Sequence, residues 1–284
     1  MDKRFWVKLA LGVVFGAILF LWLGPYFAGV KSLRPVLLHW GQLTVYWYGL
    51  LIALGVLAGY VWLVVPLAHR RRLDQEKVLL AVIWGLIGGI IGARLLFVML
   101  KWPLYAGDFG SILAVSQGGL SVHGALLGGV IAIWFYAVSQ RISFAQLCDV
   151  FAPAAMLGQV IGRFGNFFNQ EAFGGPTNLP WKMFVAPEFR PPQFASFNYF
   201  HPTFLYEALG GALILIGLLK LFAKPLPAGS IVAWYLILYS SLRFLIEFFR
   251  VDSDVWGWLT VAQWGSLAII VVGVYVLWRI RYER

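Results

Sequence analysis

Charge is scarce in this sequence. Aspartate, glutamate, lysine and arginine make up 12% of its 284 residues, about half of the ~25% usual for a soluble domain. With 61% hydrophobic residues and a mean hydropathy of +0.81, the deficit excludes a soluble globular chain and points to an integral membrane protein. Cysteine is scarcer still. The single Cys148 excludes an intramolecular disulfide and any multi-cysteine metal site, and it reads as a small buried apolar residue. No basic patch is interleaved with exposed aromatics, so the net charge of +10 does not indicate nucleic acid. Cytoplasmic loops of membrane proteins are rich in Lys and Arg. An internal repeat is also missing, which argues against a transporter built from inverted repeats.

What is present is a series of long apolar runs. A span needs roughly 20 mainly apolar residues. Eight segments qualify, at about 5–28, 45–68, 78–100, 119–139, 145–163, 202–222, 230–250 and 259–279. The expected fold is therefore an all-α polytopic bundle of about eight helices. The first run begins "MDKRFWVK" like a signal peptide, but it is longer than the ~7–15 residues of a signal core and lacks a clear cleavage site. It is read as a helix. With the N-terminus cytoplasmic, the inner segments carry Lys3, Arg4, Lys8, Arg70, Arg71, Arg72, Lys77, Arg141, Lys220, Lys224, Arg279, Arg281 and Arg284. The outer segments carry only Lys31, Arg34, Lys101, Lys182, Arg190 and Arg250. This bias places both termini in the cytoplasm. Fourteen Trp, many near span ends, fit interfacial belts. Glycines recur four apart, as at Gly55 and Gly59, Gly88 and Gly92, Gly124 and Gly128, and Gly158 and Gly162, a spacing that lets helix backbones approach closely. Residues 164–200 form one long Pro-rich connection, read as a small extracytoplasmic cap over about 174–200.

Ionisable groups inside spans are expensive and mark functional sites by default. Four places qualify. "GRFGNFFNQEAFGG", residues 162–175, gathers Arg163, Asn166, Asn169 and Glu171 among glycines that permit turns or close ligand approach. The arginine fork suits a phosphate headgroup. "YSSLRFLIEFFR" places Tyr239, Arg243 and Glu247 four apart on one helix face. Arg243 and Glu247 are either a neutralised structural pair or part of the same site as Arg163. "GGLSVHGALLGG" holds His123, either a structural histidine or a group that exchanges protons near neutral pH. "HPTFLYE" puts His201 before Pro202, which suits a first helical position, with Glu207 a turn and a half later. Tyr46 and Tyr48 begin the second span. All four places map to the outer half of the bundle, which predicts a cavity open to the outer leaflet.

These residues resemble a known family. "GRFGNFFNQEAFG" matches every fixed position of G-R-x-G-N-F-x-N-x-E-x-x-G, the signature of bacterial prolipoprotein diacylglyceryl transferases, from Gly162 to Gly174. "WYGL", "GARLLFV", "SVHGALLGG", "HPTFLYE" and the R-x-x-x-E-F-F-R run resemble the family's other blocks in the same order, covering about residues 40–280. The resemblance implies a seven-spanning enzyme of the bacterial plasma membrane. Its substrates would be phosphatidylglycerol and prolipoprotein signal peptides with a lipobox cysteine. The diacylglyceryl group would pass to the thiol as a thioether, with loss of glycerol phosphate and no cofactor or metal. By the same resemblance Arg163 binds the lipid phosphate, Asn166, Asn169, Glu171, Gly174 and Arg243 line the lipid site, and His123 is the general base. Tyr48, Tyr239, Arg243 and Glu247 match further functional positions. Two features depart from the family. The first span is additional, which divides the chain into residues 1–40 and a transferase domain at 41–284. Tyr46 stands where some members have His.

Two other classes are weaker. A Ser121–His123 protease dyad fails because side chains two apart on a helix do not face each other, and no G-x-S-x-G is present. An anion transporter lined by Arg163 and Arg243 is disfavoured by the one-sided placement of the polar groups.

Overall fold

The computed structural model describes residues 21–41, 43–107, 109–114 and 118–282. Seven helices in it are long and apolar enough to cross a membrane. They are α1 (Trp47–Arg70), α2 (Gln75–Leu100), α3 (Val122–Ser139), α4 (Phe144–Asn169), α5 (Thr203–Phe222), α6 (Ser230–Phe249, its last turn 3-10) and α7 (Val261–Tyr282). The protein is a multi-pass membrane protein of helical class. Seven of the eight expected spans are found. The first, about 5–28, lies outside the described residues up to position 20; residues 21–27 are helical. Outside the spans lie three short antiparallel strand pairs. These are β1 (Val36–Trp40) with β2 (Leu43–Tyr46), β3 (Met183–Phe184) with β4 (Tyr199–Phe200), and β5 (Val255–Trp256) with β6 (Leu259–Thr260).

Helix boundaries follow local chemistry. Asp74 caps α2, accepting from the backbone N–H groups of Glu76 and Lys77. Ser121 caps α3 by accepting from Gly124 N–H. Thr260 and Gln263 form a reciprocal capping box at the start of α7. Helix α1 contains a π turn at Tyr60–Val64, directly ahead of Pro66, where a missing N–H forces the ladder to readjust.

The chain divides into two compact units. One comprises Met1–Gly59, Pro153–Pro225 and Ala233–Arg284; the other comprises Tyr60–Ala152 and Leu226–Val232. The division within α1 falls at the start of the π turn, and that within α4 at Pro153, which lacks a helical N–H.

In the second unit, α2 and α3 meet through their glycines. A Cβ at Gly92 or Gly124 would run into the other residue's carbonyl oxygen, and Gly88 and Gly128 stand in the same relation. The small-residue spacing read from the sequence is thus a backbone-to-backbone contact. Arg94, 7% exposed, donates to the carbonyls of Ser111, Ile112, Ala114, Gly118 and Gly119 at 2.6–3.4 Å. It is a loop anchor. Asp149, fully buried, accepts from the N–H groups of Gly229, Ile231 and Val232, each at 2.9 Å. One helix here caps the N-terminus of another, where the helix dipole favours a carboxylate.

In the first unit an aromatic core joins residues 23–33 to α4 and α5. Phe167 and Phe204 are fully buried and stacked with ring centroids 4.8 Å apart. Phe27 packs on both, and Trp47 stacks on Phe168. This core backs the polar residues described next.

Candidate active site

The signature does not lie where the apolar run placed it. The fifth span was expected to end near residue 163 and break into glycines. Instead α4 continues to Asn169, so Gly165 is helical. Its lack of a side chain admits Tyr48 from α1, whose ring would lie 2.6 Å from a Cβ there. The same two helices also touch at Gly55 and Gly158. The turn that follows uses no glycine. Gln170 (φ 49°) and Ala172 (φ 56°) adopt left-handed conformations. The N–H of Glu171 reaches Asn166 O and that of Gln170 reaches Phe167 O, which closes the helix as a Schellman motif. Non-glycine residues in this region carry strain, a feature concentrated at functional sites.

Three arginines converge on one carboxylate. Glu207, on α5, is 3% exposed. Its Oε2 lies 2.6 Å from Arg163 Nη2, and its Oε1 lies 3.7 Å from Arg243 Nη1 and 4.0 Å from Arg250 Nη1. Arg243 also pairs with Glu247 at 2.6 Å, four residues on, as their spacing predicted. Glu247 is held from its other oxygen by the Thr260 hydroxyl at 3.0 Å, and Arg250 binds Asp252 through two N–H donors at 2.7 and 3.0 Å. Arg163 donates to the Tyr239 hydroxyl and to Asn166 Oδ1, both at 3.4 Å. Asn166 and Asn169 both donate to Glu171 Oε1, at 2.9 and 3.1 Å.

The net charge follows directly. Arg163, Arg243 and Arg250 carry three positive charges against two on the buried Glu207 and Glu247, leaving one positive charge among these five groups, which the more exposed Asp252 offsets through its two hydrogen bonds to Arg250. The side chains of Arg163 and Arg243 remain about one-fifth accessible. The cluster can thus offer charge-assisted donors to an anion at a surface where burial strengthens them.

Of the residues read from the sequence, Tyr48, Arg163, Asn166, Asn169, Glu171, Gly174, Tyr239, Arg243 and Glu247 all fall in the first unit. Gly174 packs backbone on backbone: its N–H donates to His201 O, and it bridges to Arg250. A Cβ there would lie 2.6 Å from Phe249 O. His123 belongs to the second unit, exposed in the first turn of α3. Tyr46 lines a cleft beside Asn169 and Glu171. Two participants were missed in the sequence, Arg250 and Thr260, and a third, Glu207, was named in one of the four candidate places without its arginine partners. Glu207 was visible as an intramembrane carboxylate in "HPTFLYE", and Thr260 as the first residue of a T-x-x-Q cap. Arg250 was counted as a loop charge. His201 shares a hydrogen bond with the Tyr206 hydroxyl at 3.1 Å, which also accepts from Trp181. Burial lowers the His201 pKa below the ordinary imidazole value.

The family model described as prolipoprotein diacylglyceryl transferase matches residues 35–279. The chain belongs to that family. A phosphatidylglycerol–prolipoprotein diacylglyceryl transferase of Thermosynechococcus vestitus is 43% identical over 248 residues, covering 87% of this chain and 92% of the relative. One from Trichormus variabilis is 46% identical, covering 84% and 87%. One from Fervidobacterium nodosum is 38% identical over 278 residues, covering 96% and 94%. This transferase-family match contains both halves of the arginine cluster, Arg163 on α4 and the Arg243–Arg250 run on α6.

Proposed function

We propose that the protein transfers the diacylglyceryl group of phosphatidylglycerol to the lipobox cysteine thiol of prolipoproteins. A C–S thioether bond forms as the bond between the glyceryl carbon and its phosphate oxygen breaks, and glycerol phosphate leaves with the electron pair. The thiol proton is given up as sulfur attacks. The observation that carries this reading is the convergence of Arg163 and Arg243 on opposite oxygens of Glu207, next to the Asn166–Glu171 pair.

The chemistry needs a thiolate, since the thiol of a free cysteine has a pKa of ~8.5, and a sink for the charge that develops on the phosphate. Arg163 and Arg243 supply that sink as preorganised donors. Asn166 holds Arg163, and Glu171 in turn holds Asn166 and Asn169. Tyr239 orients Arg163, and Glu247 orients Arg243. Tyr48 fixes the signature helix through Gly165. The family resemblance assigns removal of the thiol proton to His123. Residues 41–284 form the transferase domain. The protein resides in the bacterial inner membrane with both termini cytoplasmic and the site toward the outer leaflet, where the excess of inner Lys and Arg directs it.

The test is a transfer assay with purified protein, labelled phosphatidylglycerol and a lipobox peptide. Wild type is expected to label the peptide cysteine, and Arg163→Ala to lose ~10²–10³ in rate. Lipid binding by a folded wild type without transfer overturns the reading in favour of an anion-binding membrane protein.

A further inference from the structure

The two substrates of this reaction differ in charge and shape, and so do two adjoining places in the first unit. The arginine cluster presents the partly accessible guanidinium donors of Arg163 and Arg243. Next to it lies a cleft of about 510 Å³, walled by the turn Asn169–Phe173, Tyr46, Phe189, Pro191 and Asp252. The volume falls in the ~300–1,000 Å³ range that suits drug-sized ligands, and so a short stretch of extended peptide. Two bridges join cleft and cluster. One is the hydrogen-bonded chain Arg163–Asn166–Glu171, the other the chain Glu207–Arg250–Asp252.

The lining decides which substrate fits. Glu171 spends Oε1 on Asn166 and Asn169, and among the described residues no hydrogen bond to its Oε2 is found. Asp252 adds a second carboxylate, about half exposed. Arg250 offsets Asp252 through two hydrogen bonds, so Glu171 is the carboxylate that disfavours a phosphate in the cleft, and an anionic headgroup belongs with the arginines. A carboxylate oxygen accepts hydrogen bonds, and backbone N–H groups of an extended chain supply them. Phe189, 36% exposed, and Pro191 add apolar surface for side chains. The cleft wall is rigid where it meets the signature, because Gln170, 4% exposed, accepts from Ala186 N–H at 2.8 Å and ties the 183–200 segment to the turn.

We infer that this cleft docks the first residues of the acceptor chain that follow its cysteine. The inference rests on the transferase reading above. Docking there holds the thiol beside the arginine cluster and leaves the cluster free for the lipid phosphate. It gives the 183–200 segment a role in acceptor affinity rather than in lipid binding.

The experiment compares two peptides in the transfer assay with labelled phosphatidylglycerol. One ends at the lipobox cysteine amide; the other continues for about four uncharged residues, a reach of ~13 Å. Wild type is expected to favour the longer peptide by about tenfold in kcat/KM, through KM, the effect of covering one apolar side chain at Phe189. Phe189→Glu and Phe189→Ala are expected to erase that preference, with transfer to the short peptide and the KM for lipid the same as in wild type. Equal use of both peptides by wild type overturns the inference and leaves the transferase reading intact. So does a variant whose lipid KM rises while the length preference stays. Transfer to neither peptide by a folded, lipid-binding protein removes the transferase reading and the docking inference together.

Discussion

Glu207→Gln is the sharpest test of how the cluster is held. The substitution keeps shape and one hydrogen-bonding oxygen but removes the charge. With an effective dielectric of ~20, the attractions of Glu207 for Arg163, Arg243 and Arg250 at 2.6, 3.7 and 4.0 Å are about 6, 4.5 and 4 kcal/mol. Repulsion among the three guanidiniums and the cost of desolvating the carboxylate oppose most of this. Breaking a buried pair by removing one partner costs about 3–5 kcal/mol. The five-member cluster then rises from one net positive charge to two, with only Glu247 buried beside it. Arg163 loses its 2.6 Å anchor and keeps only the 3.4 Å contacts to Tyr239 and Asn166. Two readouts follow. Thermal unfolding in detergent should show a lower Tm, and transfer from labelled phosphatidylglycerol should fall at least ~10²-fold. A Glu207→Gln protein with wild-type Tm and wild-type kcat/KM would refute the argument that this carboxylate organises the arginines.

Other outcomes follow from the same structure. Replacing His123 by Gln should lower turnover by ~10²–10⁴ with lipid binding unchanged, measured by single-turnover transfer; near-normal turnover removes His123 as the base. Asp149→Ala strands the N–H groups of Gly229, Ile231 and Val232, so unfolding should become easier by about 2 kcal/mol or more, and an unchanged Tm would contradict the cap. His201 is held more neutral in the fold than when unfolded, where its pKa is 6.5. The unfolded state therefore binds more protons as pH drops below ~6.5, and stability should decline there. His201→Gln should flatten that decline, as read from Tm against pH.

Much of this protein was settled by its sequence. Runs of about twenty apolar residues have no stable home in water, and helices are the economical way to satisfy their backbones in lipid, so seven spans were legible before any coordinates. The i,i+4 pair Arg243–Glu247 was legible because one helix turn alone brings such residues together. Likewise the close packing at Gly92 and Gly124 followed from spacing. The signature carried enough fixed positions to identify the family. Tertiary structure decided the rest, because the contacts that matter join residues far apart in the chain. No local pattern shows that Glu207 stands between Arg163 and Arg243, or that Arg250 returns to the same carboxylate. Gly165 read as a glycine for a turn or a close ligand approach; it is helical, and Tyr48, more than a hundred positions away, fills the space its side chain would take. Arg94 lies in an apolar run as Arg163 and Arg243 do, yet its donors are taken by five carbonyls of one loop. Burial makes such groups costly wherever they occur, and only their partners distinguish an anchor from a binding group.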